Sequence, residues 1–155
     1  MQTFSKDRPV DFKSIPCFIE ASDSKTLECI QSLALSISEK VYILSSHDRK
    51  YLHLSAVFAC NFVNHCYEIA AEILHQHDIP FEVLQPLIDE TARKIHMLSP
   101  RDAQTGPAVR YDKNVIEAQR KLLADLPLWQ EIYERMSASI HRTAITNKPN
   151  HYDKL

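Results

Sequence analysis

The stretch DRKYLHLSAVFACNFVNHCYEIAAEILHQH at residues 48–77 decides the fold of this chain. No proline or glycine interrupts it, so it predicts one long helix. At about 100° per residue, apolar or small side chains occupy most of the helix circumference. A helix of this kind is buried on most of its sides. The sequence therefore predicts a mainly α fold built around this helix.

One narrow stripe of the helix is mainly polar. Within about 120° of the helix wheel lie His53, Asn61, Asn64, His65, Glu68 and Glu72. Under one interpretation the stripe meets solvent or satisfies neighbouring backbone groups, since buried polar groups are hydrogen-bonded. Under the other, its first half lines a cleft, because asparagine and histidine are poor choices for a solvated face. Glu68 and Glu72 are expected to be solvated.

The cysteines and histidines of the helix do not predict a metal site. The candidate ligands would be His53, Cys60, His65 and Cys66. Cys66 lies on the opposite side of the helix from His53 and Cys60, and no Cys-x-x-Cys or His-x-x-x-His pair anchors a zinc geometry. Together with Cys17 and Cys29, these cysteines indicate reduced, mostly packed thiols of a cytoplasmic protein.

Before the long helix, two short apolar runs flank a helical pattern. The runs are CFI at 17–19 and VYIL at 41–44. One face of the amphipathic helix between them is predicted to carry Leu27, Ile30, Leu33, Ala34 and Ile37, and its candidate caps are Ser22, Asp23 and Ser24. Strand, helix and apolar strand predict a βαβ unit with parallel strands. Two strands are too few for a stable sheet, so residues 1–46 are predicted to be the remnant of a larger α/β domain.

After the long helix, three more helical patterns follow. The first opens at Pro80 and restarts at Pro86, the second runs from about Asn114 to Ala124 with Asp112 as its cap, and the third starts at Pro127. They predict a helical domain over residues 47–142, followed by a polar tail over 143–155.

The connection at residues 99–112 holds the only glycine of the chain, Gly106. It is longer than the roughly 2–8 residues that usually join helices in bundles. In a structural interpretation, Arg101 and Arg110 cap helix ends and Gly106 supplies a turn with positive φ. In a functional interpretation, this is a substrate-side or interface loop. Its candidate substrate-binding residues are Gln104, Thr105, Gly106 and Arg110.

Composition excludes several classes of function. One glycine cannot supply a Gly-x-Gly-x-x-Gly dinucleotide loop or a P-loop. A net charge of −2 without a basic stripe gives no signal for nucleic acid. The longest apolar stretch, residues 54–63, is too short to span a bilayer, and the N-terminus has no signal-peptide pattern. A soluble protein without nucleic-acid or membrane partners is expected.

Three segments together resemble a known group of proteins: QTFS at 2–5, HLSAVFACNFVNH at 53–65 and LSPRDAQTGPAVR at 98–110. They resemble the C-terminal portion of bacterial NAD(P)-dependent oxidoreductases in which a Rossmann-like domain precedes a helical domain of unknown function. That group is similar in architecture to pyrroline-5-carboxylate reductases, deazaflavin-dependent NADP reductases and 6-phosphogluconate-type dehydrogenases. The resemblance extends to about Arg142 and implies a helical bundle of the 6-phosphogluconate dehydrogenase C-terminal kind, preceded by the residual βαβ piece of a truncated Rossmann-like domain.

The resemblance also has implications for the cofactor. The family uses NADP or NAD, and its glycine fingerprint would lie upstream of Met1. The chain is accordingly expected to be a fragment, a product of a mis-called gene start or a truncated paralogue. This chain alone is not expected to bind a dinucleotide tightly.

The same resemblance implies roles for residues of the long helix. Related dehydrogenases carry Lys-x-x-His or Lys-x-x-Asn at the corresponding place, and here Lys50 and His53 stand in that spacing. His53 is the better candidate for a general acid or base, because an ordinary imidazole titrates near neutral pH. Lys50 would serve in proton transfer or be simply solvated. Asn61 and Asn64 would orient a substrate carbonyl or carboxylate.

Two hypotheses of function stay open at this point. In the first, the chain is the substrate-side, homodimer-forming portion of an NAD(P)-dependent oxidoreductase that acts on an unidentified small molecule. In the second, it is a stand-alone helical dimerisation or interaction module without catalysis. The apolar circumference of the long helix favours the second, since such a helix needs partners on several sides.

Overall fold

The computed structural model describes residues 10–146, which form two compact units, 10–68 and 69–146. Two strands and eight α-helices are present in them: β1 Cys17–Ile19, α1 Ser24–Ile37, β2 Val41–Ile43, α2 Ser46–Ala56, α3 Val63–His75, α4 Gln85–Lys94, α5 Pro100–Ala103, α6 Pro107–Arg110, α7 Lys113–Leu122 and α8 Pro127–Ile145. The predicted mainly α fold with a residual βαβ piece is confirmed. The QTFS segment at 2–5 and the tail beyond 146 lie outside the described residues.

The βαβ piece forms as predicted, with β1 and β2 parallel and Cys17 opposite Val41. Of the three candidate caps of α1, Asp23 is the one used, because its carboxylate accepts hydrogen bonds from the Thr26 amide at 2.9 Å and the Thr26 hydroxyl at 2.7 Å. The core of this piece is small, with Ile19 and Ala34 as its buried apolar residues.

Part of the apolar face of α1 is exposed. Leu33 and Ile37 are 67% and 48% exposed. The physical reason is the width of the sheet: two short strands cover only a narrow stripe of α1. The opposite sheet face is also accessible, and Phe18 and Tyr42 stack there with their ring centroids 5.7 Å apart.

The long helix follows one path from Ser46 to His75, but it is not a regular α-helix. Residues Val57–Phe62 form a π-helical segment between α2 and α3. The turns of a π-helix are wider, with hydrogen bonds between residues i and i+5, so the segment acts as one extra residue in an α-helix. The side chains of α3 therefore lie about 100° around the helix axis from the positions that a regular wheel predicts. The prediction of one regular wheel over 48–77 is therefore wrong.

The helix also ends at His75, two residues before the end at His77 that the sequence pattern predicts. Asp78 adopts a left-handed conformation with φ 56°. The Ile79 amide donates to the Leu74 carbonyl at 3.0 Å, and the Asp78 amide donates to His75 at 3.2 Å. These two bonds form a Schellman motif, which closes the last turn.

The predicted burial of the long helix on most sides does not occur among the described residues. None of the residues in α2, the π segment or α3 is buried. Leu54, Phe58 and Phe62 are 53%, 62% and 50% exposed. The apolar circumference read from the sequence is real, but residues 10–146 do not cover it.

The second unit largely follows its sequence signals. Pro86 restarts a helix as α4, after a 3-10 turn at Phe81–Leu84. Asp112 caps α7 by accepting from the Val115 amide at 3.2 Å, and Pro127 begins α8. Helices α6, α7 and α8 contact one another, and Ala108 of α6 is buried there.

Two boundaries in this unit differ from the prediction. The connection at 99–110 holds the single-turn helices α5 and α6, because prolines begin both and the Ser99 hydroxyl caps the first. Helix α8 continues to Ile145, past position 142. Its end is stabilised by the Arg101 guanidinium, which donates to the carbonyls of Thr143 and Thr146, the first at 2.6 Å.

Candidate functional site

The predicted catalytic residues lie along the long helix of the first unit. Lys50 and His53 are in α2, Asn61 is in the π segment and Asn64 is in the first turn of α3, and all four are exposed. On a regular wheel His53 and Asn64 would lie about 20° apart. The π segment separates them by about a quarter of a turn, so the first half of the predicted stripe is not one continuous face. Their roles stay predictions.

The second half of the stripe is solvated, as expected for its glutamates. The Nδ1 atom of His65 lies 3.1 Å from the Glu68 carboxylate, and both side chains are more than half exposed. An exposed pair of this kind contributes little to stability. The i,i+3 spacing on the helix is sufficient to bring His65 and Glu68 together.

A polar cluster at the carboxyl end of β1 holds the start of α2. Glu20 accepts a hydrogen bond from the Ser46 hydroxyl and lies 3.5 Å from the Arg49 guanidinium. Arg49 also donates to the Leu44 carbonyl at 3.3 Å. The Ser45 hydroxyl caps α2 by accepting from the Asp48 amide at 3.0 Å. We refer to Glu20, Ser46 and Arg49 as the Glu20 cluster.

In the Glu20 cluster, the neighbours of the Glu20 carboxyl favour its negatively charged form. The hydrogen bonds from Ser46 hold the pKa of the Glu20 carboxyl below its ordinary value, and the Arg49 charge acts in the same direction. The carboxylate is therefore ionised at neutral pH and fixes the first turn of α2 against the sheet. Since Lys50 and His53 follow in the next turn of α2, the cluster determines where that turn lies relative to the sheet.

Sequence reasoning missed the Glu20 cluster, although a signal was present. Glu20 directly follows β1, and Ser46 begins the helix after β2. The carboxyl ends of parallel strands meet at the same edge of a sheet, where α/β proteins place their ligands. The predicted βαβ topology would have brought these residues together.

The turn between β1 and α1 does not fit a dinucleotide. In dinucleotide-binding folds this turn is glycine-rich, and the pyrophosphate sits at the helix N-terminus. Here residues 20–23 are Glu-Ala-Ser-Asp, and the Asp23 carboxylate occupies the N-terminus of α1. The hydrogen bonds from Thr26 lower the pKa of Asp23, which keeps it negatively charged. A fixed carboxylate at this point repels phosphate.

The predicted substrate-binding residues of the second unit lie around the start of α6. Gln104, Thr105 and Arg110 are exposed, and the Gln104 amide nitrogen donates to the Thr105 carbonyl at 3.0 Å. Gly106 has φ 109° and ψ 178°, and a Cβ there would meet no atom within 4 Å. The backbone angle, not close packing, requires this glycine.

The structural interpretation of this connection is confirmed at two positions. Gly106 supplies a turn with positive φ, and Arg101 caps a helix end, that of α8. Arg110 lies in the last turn of α6. The functional interpretation of Gln104, Thr105 and Arg110 stays a prediction.

Two kinds of feature do not occur within residues 10–146. No group of three His, Cys, Asp or Glu side chains in this range lies close enough to hold a metal ion. No helix in the range is both long and apolar enough to cross a membrane.

Solved structures resemble this chain over most of its length. A putative NADP oxidoreductase from Bacteroides fragilis is 56% identical with a TM-score of 0.83, and the match covers 92% of this chain and 55% of that one. A Thermotoga maritima protein is 24% identical with a TM-score of 0.68, over 79% of this chain and 50% of that one, and shows the fold alone. This chain thus spans about half the length of either protein. The comparison with curated proteins found no match.

A family match covers both units. Residues 15–140 match the family described as a domain of unknown function, DUF2520. The match takes in the βαβ piece, the long helix, the glycine-bearing connection and most of α8. The chain therefore belongs to the DUF2520 family.

Proposed function

We propose that this chain is the substrate-side, dimer-forming part of an NADP-dependent oxidoreductase that acts on a small molecule. The observation that supports this most is the 56% identity to the Bacteroides fragilis protein across 92% of this chain. The lone glycine and the Asp23 carboxylate imply that residues other than the β1–α1 turn hold the dinucleotide's pyrophosphate. This chain by itself would bind NADP weakly.

In this proposal the residues of the long helix do the proton chemistry. A carbonyl or imine that is reduced must gain a proton on its oxygen or nitrogen. The imidazole of His53 would exchange a proton with that atom, since histidine is the side chain most often used in general acid and base catalysis. Lys50, one turn earlier, is the alternative donor. The amides of Asn61 and Asn64 would orient a carbonyl or carboxylate of the substrate.

The connection in the second unit carries the other predicted substrate-binding residues. Arg110 offers a guanidinium, and guanidinium groups pair with carboxylates in a bidentate geometry. Gln104 and Thr105 offer an amide and a hydroxyl beside the open space at Gly106. These groups suit a small, polar, anionic substrate.

Dimerisation would cover the apolar residues of the long helix. Leu54, Phe58 and Phe62 are each at least half exposed, and the rings of Phe58 and Phe62 meet edge to face with centroids 4.9 Å apart. Aromatic residues are enriched at interface cores. We expect light scattering to show a homodimer and Phe58→Glu to release monomers, whereas Leu122→Glu, at an 82% exposed position of α7, should not. A wild-type monomer would contradict this part.

The enzymatic part is tested by turnover. NADPH oxidation should be measured against a panel of carbonyl and imine compounds, with this chain alone and with this chain joined to the part of the Bacteroides fragilis protein that it does not cover. We expect activity only in the longer protein, and a loss of roughly tenfold or more in His53→Gln and in Asn61→Ala at unchanged folding. His47→Gln, an exposed histidine of α2 outside the predicted site, is the matched control. Equal rates for His53→Gln and His47→Gln would remove His53 from the site.

A second candidate function rests on the same exposed helix. A stand-alone dimerisation module would use Leu54, Phe58 and Phe62 and would need no cofactor. A stable dimer in which neither length of protein binds NADPH would favour this alternative over the oxidoreductase.

A further inference from the structure

A strained tyrosine and a histidine with an unpaired ring nitrogen lie against each other in the second unit. Tyr111 ends α6 in the left-handed conformation, with φ 51° and ψ 48°. Its ring stacks on the His141 imidazole at a centroid distance of 4.3 Å and an interplanar angle of 21°. The Lys113 ammonium lies 5.2 Å from the centroid of the same ring. The Nδ1 atom of His141 is buried and has no hydrogen-bond partner within the described residues.

Both ends of the segment 101–111 are attached to the last turns of α8. At one end the Arg101 guanidinium donates to the carbonyls of Thr143 and Thr146. At the other end Tyr111 stacks on His141 of the same helix. Between these two attachments α6 contacts α8, and Ala108 is buried. Gln104 and Thr105 therefore project from a segment that is held on both sides.

The residue types at this contact are poor choices for packing alone. A glycine or asparagine at position 111 would adopt the left-handed conformation with less strain. A phenylalanine at position 141 would stack equally well and would leave no buried nitrogen unpaired. Two locally unfavourable choices that meet in one contact are typical of a functional constraint.

We infer that Tyr111 and His141 are a positioning pair, which, together with Arg101, fixes the conformation of Gln104 and Thr105 before any ligand binds. The inference rests on the proposed function only in treating Gln104 and Thr105 as substrate-binding residues. The pair itself touches no substrate. The left-handed turn at Tyr111 is closed by its amide, which donates to the Ala108 carbonyl at 3.2 Å, and by the Asp112 amide, which donates to the Pro107 carbonyl at 2.9 Å. The stacked rings hold this turn against α8, and the α6 turn carries the constraint back to Gly106 and Thr105.

Amide hydrogen exchange on the full chain tests the pair without needing a substrate. The Gln104 amide bonds to the Arg101 carbonyl at 3.3 Å, and the Asp112 amide bonds to Pro107 at 2.9 Å, so both report on the segment. In Tyr111→Asn, which tolerates the left-handed conformation but lacks the ring, we expect both amides to exchange at least tenfold faster. Tyr111→Phe keeps the ring and should restore exchange to within twofold of wild type.

The Gln130 amide, bonded to Leu126 at 2.9 Å near the start of α8, is the internal standard. Its unchanged rate would show that the variant is folded, and a general loss of stability would accelerate it along with the others. His141→Ala should reproduce the Tyr111→Asn effect, and His141→Phe should not. In Tyr111→Asn we also expect amide resonances of Thr105 and Gly106 to shift.

Unchanged exchange at Gln104 in both Tyr111→Asn and His141→Ala would overturn the inference, as would equal acceleration at Gln104 and Gln130. A failure of the proposed function would appear elsewhere, as absent NADPH turnover, and would leave these exchange rates interpretable.

Discussion

The end of α8 depends on a side chain that is distant in sequence, and this dependence can be measured. Replacing Arg101 by methionine keeps an unbranched stem but removes the guanidinium that donates to Thr143 and Thr146. Hydrogen bonds that involve a charged group contribute about 1.5–3 kcal/mol when protected, and a cation at a helix C-terminus adds about 0.3–1 kcal/mol. Arg101 is only half-buried, so solvent competes for these bonds. We expect Arg101→Met to lower the free energy of unfolding by about 1–2 kcal/mol.

For a domain of this size, about 1 kcal/mol corresponds to roughly 2–4 °C in Tm. Thermal and urea unfolding measure the whole effect, and hydrogen exchange of the Thr146 amide, which bonds to the Arg142 carbonyl at 3.2 Å, localises it. Arg135→Met is the matched control, because Arg135 lies on the same helix, is 81% exposed and pairs with Glu131 at 3.5 Å. Such a surface pair is worth about 0.3–0.5 kcal/mol. Equal losses in the two variants, or an unchanged Thr146 rate in Arg101→Met, would refute the assignment of Arg101 as the cap.

Three other perturbations follow from the geometry. Because the pKa of Glu20 is lowered in the folded state, its interactions stabilise fully above the ordinary value of 4.5 and are lost as pH falls through the lowered pKa. When the unfolding midpoint is plotted against pH, Glu20→Gln should reduce the fall of the midpoint at acid pH. A fall as steep as that of the wild type would contradict this prediction. Ser45→Ala should cost about 0.5–2 kcal/mol in urea unfolding through loss of the α2 cap, whereas Ser55→Ala, inside α2, should cost less. Gly106→Ala should cost about 1–3 kcal/mol in urea unfolding despite the open space, because its φ and ψ are accessible almost only to glycine. A cost below about 0.5 kcal/mol would contradict this.

Local signals in the sequence were sufficient for the starts of α7 and α8, and they limited the cap of α1 to Ser22, Asp23 or Ser24. Asp23, Asp112 and Pro127 mark the beginnings of α1, α7 and α8, because a cap acts within one turn of its own position. The parallel pairing of the two strands also followed from the order of apolar runs. In each case the deciding interaction lies within a few residues or within one βαβ unit.

Other features depend on contacts that periodicity does not encode. The π segment contains no proline or glycine, so the pattern of residues 57–62 is compatible with an α-helix as well. The end of α8 depends on Arg101, which lies far away along the chain. The exposure of Leu33 depends on how many strands stand beside β1 and β2, and the sequence of α1 carries no information on that number. The candidate site could be predicted as residue types on a helix, but not as a geometry.

The scarcity of glycine does not mean that the chain lacks left-handed turns. Within residues 10–146, φ is positive at Asp78, Gly106 and Tyr111. Asp78 tolerates the conformation because a short polar side chain can bond locally, and its neighbours complete a Schellman motif. Tyr111 lies in the same kind of motif, since its amide donates to the Ala108 carbonyl at 3.2 Å and the Asp112 amide donates to the Pro107 carbonyl at 2.9 Å, and its ring also stacks on that of His141. At Gly106 a Cβ would meet no atom within 4 Å, so the backbone angles, which are accessible almost only to glycine, determine the residue type. The one glycine of the sequence therefore lies where the backbone angles require it, directly beside the predicted substrate-binding residues Gln104 and Thr105.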